Sequence, residues 1–128
     1  MSAALDRRLE TALRLANEAG RLALSLQPPP GAPVACLKDH QDWLTEADGA
    51  VEDFLSAGLA AAFPEDGFQG EETGSGRRGQ LTWVVDPIDG TSNFARGAPR
   101  FCVSVGLIED RTPLLGWKFR TNLGKFLY

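Results

Sequence analysis

The sequence predicts an α+β fold on three observations. Two early segments carry apolar residues at helical spacing, two later runs have the length and patterning of strands, and residues 114–128 read as a hairpin. In the first segment Leu5, Leu9, Ala12, Ala16, Ala23 and Leu26 recur at intervals of three, four or seven, one face of a helix over about 5–26. That helix must stop there, because Pro28, Pro29 and Pro30 each lack a backbone donor and Pro28 disfavours helical geometry at Gln27. The chain to Pro33 is a linker, and residues 34–44, which mix Val34, Ala35, Leu37, Trp43 and Leu44 with Lys38, Asp39, His40 and Asp42, suit a short strand and a polar loop. A second helix is expected from Thr45, placed to cap it with Asp48 three residues on, and Val51, Phe54, Leu55 and Leu59 form its apolar stripe to about Phe63, before Pro64.

Gly74, Gly76 and Gly79, with Arg77 and Arg78 among them, mark residues 73–80 as an exposed loop whose cations are solvated. Leu81 to Val85 is a buried strand that closes on Asp86 and Pro87. Phe101, Val103, Val105 and Leu107 alternate with Cys102, Ser104, Gly106 and Ile108 in a second strand, apolar on much of both faces. Residues 114–119 and 125–128 flank Thr121, Asn122, Leu123 and Gly124 as the arms of the hairpin.

At 128 residues, 43% hydrophobic and 23% charged, the composition is that of one ordinary folded domain rather than a disordered, collagenous or membrane chain. A net charge of −4 has the wrong sign for a sequence-independent grip on nucleic acid or anionic lipid, and a metal cation is the more natural partner. Cys36 and Cys102 form no disulfide framework or zinc-ligand spacing, and they read as small reduced residues of a cytoplasmic protein. Asp6 and Glu10 interrupt the N-terminal leucines, so no signal peptide or membrane span is expected. His40, the one histidine, reads as a surface residue, and Trp83 as core packing.

Three short segments concentrate carboxylates beside turn-forming residues: Thr45-Glu46-Ala47-Asp48, Gly70-Glu71-Glu72 and Asp86-Pro87-Ile88-Asp89-Gly90-Thr91. Singly, each has a plain reading as a cap, a solvated loop or a strand-end turn. Together and in this order they point to a site. Pro87 fixes φ, so the chain can turn and aim Asp86 and Asp89 at a common centre, a costly placement for two carboxylates until a hard divalent cation such as Mg2+ joins them. Magnesium takes oxygen ligands of this kind, including a carbonyl such as that of Ile88. Gly90, Thr91, Ser92 and Asn93 then suit the opening of a helix, whose free N–H groups bind phosphate. Carboxylates for a metal beside a phosphate cradle suggest phosphoryl chemistry.

The run from Asp86 to Phe94, preceded by Trp83-Val84-Val85, resembles the signature of the inositol monophosphatase family of magnesium-dependent, lithium-sensitive phosphatases. Gly70-Glu71-Glu72 stands where the family has its Gly-Glu-Glu, Asp42 to Asp48 is similar to its Asp-x-Val-Thr-x-x-Asp segment, and Gly116 to Leu127 is similar to its following hairpin. The resemblance implies the N-terminal half of the layered αβαβα sandwich shared with fructose-1,6-bisphosphatase-like proteins. It implies that Glu71, Asp86, the Ile88 carbonyl and Asp89 are Mg2+ ligands, and that Asp48 and Thr91 orient and activate the attacking water. Asp89, Gly90, Thr91 and Ser92 would meet the phosphate, Glu72 would be a neighbour rather than a ligand, and Lys38 matches the family's lysine upstream of Asp48. The implied substrate is a small phosphorylated polyol, and the resemblance implies a homodimer at full length.

Within the same superfamily, histidinol phosphate and 3′-phosphoadenosine 5′-phosphate remain alternative substrates. The family's later Trp-Asp-x-Ala-like segment, with a further metal aspartate, belongs to a C-terminal half that does not follow Tyr128 here, and Trp117-Lys118 departs from the small apolar residues usual at that strand. The 128 residues therefore read as a single domain, the metal-binding N-terminal part of a larger fold, with an apolar face that favours association. A chain that binds metal without turnover is the reading from a different functional class.

Overall fold

The structure, a computed structural model, describes residues 2–27, 37–70, 76–89, 101–120 and 125–127, with backbone alone at 37–45, 87, 89, 117–120 and 125–127. Two helices, α1 (Ala3–Leu26) and α2 (Leu37–Ala62), precede six strands: β1 (Gly67–Gln69), β2 (Gly76–Arg77), β3 (Leu81–Asp89), β4 (Cys102–Glu109), β5 (Thr112–Arg120) and β6 (Lys125–Leu127). The strands form one sheet in the order β2-β1-β3-β4-β5-β6, in which only β1 and β3 run parallel. The expected α+β order holds.

Helix α1 begins just before the apolar stripe, because Ser2 caps it by accepting the Leu5 N–H at 3.2 Å. It ends where the prolines require, with Gln27 already extended at ψ 139°. Ala12, Leu15, Ala16, Ala19 and Ala23 enter the core, whereas Leu26, expected on the same face, is 38% exposed.

Helix α2 corrects the sequence reading. It starts at Leu37, so Thr45 lies inside the helix rather than at its cap, and Lys38 and His40 sit on its first turn rather than in a loop. The reason is visible once the start is known. Leu37 and Leu44 continue backwards the stripe of Ala47, Val51, Leu55 and Leu59, and the intervening Lys38-Asp39-His40-Gln41-Asp42 run occupies helical residues without interrupting that spacing.

Both helices cover one face of the sheet, α1 against β4 and β5 and α2 against β3. On that face Trp83, Val85, Val103, Val105 and Leu107 are buried with Leu55 and Leu59, each large apolar side chain contributing about 1.5–3 kcal/mol. Their strand neighbours Thr82, Val84, Asp86, Cys102, Ser104, Gly106 and Ile108 are half-buried on the opposite face. This is strand alternation with one face against helices, so β4 is less enclosed than its apolar sequence suggests.

One polar cluster ties the layers together. Arg8 Nε and Nη2 donate to the two carboxylate oxygens of Asp66 at 2.8 and 2.7 Å, and Trp83 Nε1 donates to Asp66 Oδ2 at 3.0 Å. The Arg8 guanidinium also lies 4.7 Å from the Phe63 ring centre. The hydrogen bonding to Asp66 is the main influence that pushes the Arg8 pKa up from its already high value, opposed by partial burial.

The β4–β5 turn consists of Asp110 and Arg111, both left-handed at φ 47° and 73°, with Glu109 paired to Thr112. Two residues of positive φ match the right-handed twist of a hairpin, but Arg111 carries a Cβ where glycine has no penalty. Arg111→Gly is expected to stabilise the fold by about 0.5–1 kcal/mol, read as a rise of a few degrees in Tm. An unchanged or lower Tm would show that the Arg111 side chain contributes more than its backbone strain costs.

Two further expectations change. The 73–80 segment is not all loop: Gly76 and Arg77 form β2, and Arg77 is half-buried, donates to Ser56 Oγ at 3.1 Å and lies 5.5 Å from the Phe68 ring centre. Strand β3 also does not close at Asp86 but continues through Pro87 to Asp89.

Candidate active site

Pro87 has no N–H to give to a ladder, and the β3–β4 register breaks around it. Asp86 pairs with Ser104 and Asp89 with Cys102, so three steps along β3 match two along β4 and one residue of β3 is extra. In an unbroken strand residues three apart fall on opposite faces. Here Asp86 and Asp89 pair with β4 residues two apart, so both positions fall on the same face, the one away from the helices. Ile88, between them, is turned the other way into the core, 2% exposed. The two aspartate positions thus come to one face through a bulge within a strand rather than a terminal turn.

The same end of the sheet receives β1 and α2. Because β1 is parallel to β3, with Gln69 opposite Val84, the chain leaves β1 at Gly70 travelling as β3 does toward Asp86. Helix α2 is joined to β1 by a short turn at 63–66 and returns past it, so residues earlier on the helix lie nearer the ends of β1 and β3. Asp48 is on this stretch, 7% exposed, in the row that includes Ala47, Val51 and Leu55. One turn later on the same row is Glu52, wholly buried, its carboxylate against Gly70.

Glu52 escaped the sequence reading. The signal for it was present, since a glutamate at Glu52 interrupts a stripe otherwise filled by Val51, Leu55 and Leu59, and it follows Asp48 by four residues.

Of the residues singled out in the sequence, Asp48, Asp86 and Ile88 are placed with their side chains and Asp89 by its backbone. Glu71, Glu72, Gly90, Thr91 and Ser92 lie outside the described residues, as does the expected helix opening at Gly90. Among the described residues no three His, Cys, Asp or Glu side chains form a metal cluster. The donors that are placed are nonetheless all oxygen, which is the chemistry a hard cation selects. Ser104, the register partner of Asp86, adds a buried Oγ that makes no hydrogen bond among the described residues. The residues present fit such an ion. A surface cleft of about 540 Å³ at the β1–β2 edge, lined by Phe68, Arg77, Arg78 and Thr82, holds none of these carboxylates and is a separate feature.

One end of the sheet thus carries the Asp86 and Asp89 positions, beside the stretch of α2 that bears the buried acids Asp48 and Glu52. The chain belongs to the inositol monophosphatase family, whose model matches residues 4–119. Members of this family are phosphatases. The chain is 38% identical over 113 residues to a histidinol-phosphatase of Chlorobaculum parvum, covering 84% of this chain and 42% of that protein. It is 44% identical over 84 residues to inositol monophosphatase 3 of Solanum lycopersicum, covering 62% and 31%. Its fold matches the crystal structure of inositol monophosphatase II from Staphylococcus aureus with a TM-score of 0.76 at 30% identity, covering 98% of this chain and 45% of that one. The chain spans less than half the length of these relatives.

Proposed function

We propose that the protein is a Mg2+-dependent phosphate monoester hydrolase acting on inositol 1-phosphate or a similar small polyol phosphate, releasing inositol and phosphate by direct attack of water. The observation that carries this reading is the bulge at Pro87, which sets Asp86 and Asp89 on one face of the strand end toward which Gly70 leads the chain. Glu71, Asp86, the Ile88 carbonyl and Asp89 would hold the cation. When bound, that ion would neutralise phosphate oxygens and make a water acidic enough to attack. Asp48, fixed within the helix layer, would orient and activate the water together with Thr91. The N–H and hydroxyl groups of Gly90, Thr91 and Ser92, with Asp89, hold the phosphate. The same reading places the protein in the cytoplasm, as a homodimer at full length. Among the described residues no helix is long and apolar enough to cross a membrane.

One observation supports another reading within the same class. The similarity to a histidinol-phosphatase over 84% of the chain favours histidinol phosphate as a substrate, with 3′-phosphoadenosine 5′-phosphate a further member of the same class. A chain that binds metal without turnover stands as the reading from a different functional class.

Phosphate release measured with Mg2+ on all three substrates, beside calorimetric titration of Mg2+, separates them. Faster release from inositol 1-phosphate is the expected result, preference for another ester replaces the substrate, and Mg2+ binding with no release leaves the metal-binding reading.

A further inference from the structure

We propose that Glu52 is a positioning residue of this site, holding the point at which the chain leaves β1 and so the placement of Glu71. The inference rests on the proposed metal site and extends it to a residue that meets neither metal nor substrate. Glu52 has no exposed surface, and it lies in a helix face otherwise occupied by Ala47, Val51, Leu55 and Leu59. A carboxylate in such a layer is expensive, and a leucine or methionine of similar volume would pack there at lower cost. The acid is therefore explained by what it touches rather than by packing.

What it touches is specific. A Cβ added to Gly70 would lie 2.9 Å from Glu52 Oε2 and closer still to Oε1 and the carboxyl carbon. The carboxylate thus rests directly on the backbone at Gly70, where any Cβ would force it to shift. Gly70 is the last described residue after β1, it is carried toward Asp86 by the parallel β1–β3 pairing, and Glu71 follows it in sequence. Asp48 stands one turn earlier on the same buried row. One face of α2 therefore carries both Asp48 and Glu52, the second against the backbone at Gly70, the residue before Glu71. A support of this kind tunes a metal ligand from behind, and removing it costs about 10–100-fold in affinity.

The test uses Glu52→Gln, which keeps the shape and removes the charge, and Gly70→Ala, whose methyl group displaces the same carboxylate from the opposite side. Two quantities are read on the whole chain: the Mg2+ dissociation constant by calorimetry, and metal-free amide hydrogen exchange at residues 70–72 against the β4 amides. Each variant is expected to weaken Mg2+ binding about tenfold or more and to speed exchange at 70–72 selectively, and the double variant to be no worse than the worse single. Should Glu52→Gln not fold, Gly70→Ala carries the same criteria.

Mg2+ affinity within about twofold of the parent, or exchange raised equally at 70–72 and in β4, overturns the inference while the metal site stands. Absence of Mg2+ binding by the parent chain, or its persistence in Glu71→Gln, removes the metal-site reading and this inference with it.

Discussion

Asp66→Ala is expected to destabilise the protein by about 3–5 kcal/mol, enough to unfold much of it at ordinary temperatures. Asp66 is 4% exposed and receives three hydrogen bonds, two from Arg8 and one from the buried indole of Trp83. Alanine leaves a guanidinium only 14% exposed without its counter-ion and an indole N–H without an acceptor. Asp66→Asn keeps an oxygen for one of these donors and loses the charge, so its cost is expected to be about half as large. Urea unfolding checks both: the midpoint should fall in the order parent, Asn, Ala, with the slope unchanged. A midpoint for Asp66→Ala within about 0.5 kcal/mol of the parent would show that the cluster is dispensable.

The sign of the pH dependence follows from Arg8. Its folded pKa lies above the unfolded one, so its contribution is complete below the unfolded value and is lost only as pH rises through the folded value, beyond the alkaline range. From the arginine side, the cost of Asp66→Ala should therefore be the same at about pH 6 and about pH 9.

Asp86→Asn is expected to weaken Mg2+ binding by at least about 100-fold while leaving the fold intact, since it replaces a charged oxygen donor with an amide at the centre of the site. Asp86 is half-buried on the sheet face away from the helices, so the substitution leaves the core of Trp83, Val85 and Val105 untouched. Tm in the absence of metal should move by no more than about 2 °C, and by calorimetry the Mg2+ heat should vanish or shift to millimolar concentration. Unchanged Mg2+ affinity in a folded Asp86→Asn protein would locate the cation elsewhere and end the proposed role of the bulge.

Much of this was legible from residue order alone. Proline at 28–30 stops α1 by chemistry that needs no tertiary partner, and the alternation of Val103, Val105 and Leu107 marks one face of β4 wherever that strand is placed. The Asp86 to Asp89 segment announced a site because carboxylates, proline and glycine were crowded into a few positions. The start of α2 was not legible, because a polar run of five residues hides the period on which single-sequence reading depends. Nor was the Pro87 bulge, since a strand and a turn make the same demand on proline's φ, and only pairing with β4 distinguishes them.

The sequence by itself determined α1 and its end, the later part of α2, the strands β3 and β4, and that acids gather near Asp86, because these follow from local sterics and periodicity. Only the tertiary structure decided that Asp86 and Asp89 share a face, that Asp66 joins Arg8 across 58 residues to Trp83, and that Glu52 lies against Gly70. Each of these depends on register or on contact between residues distant in the chain. No local preference encodes such contacts, and the cost of burying a charge shows itself only when the layers close.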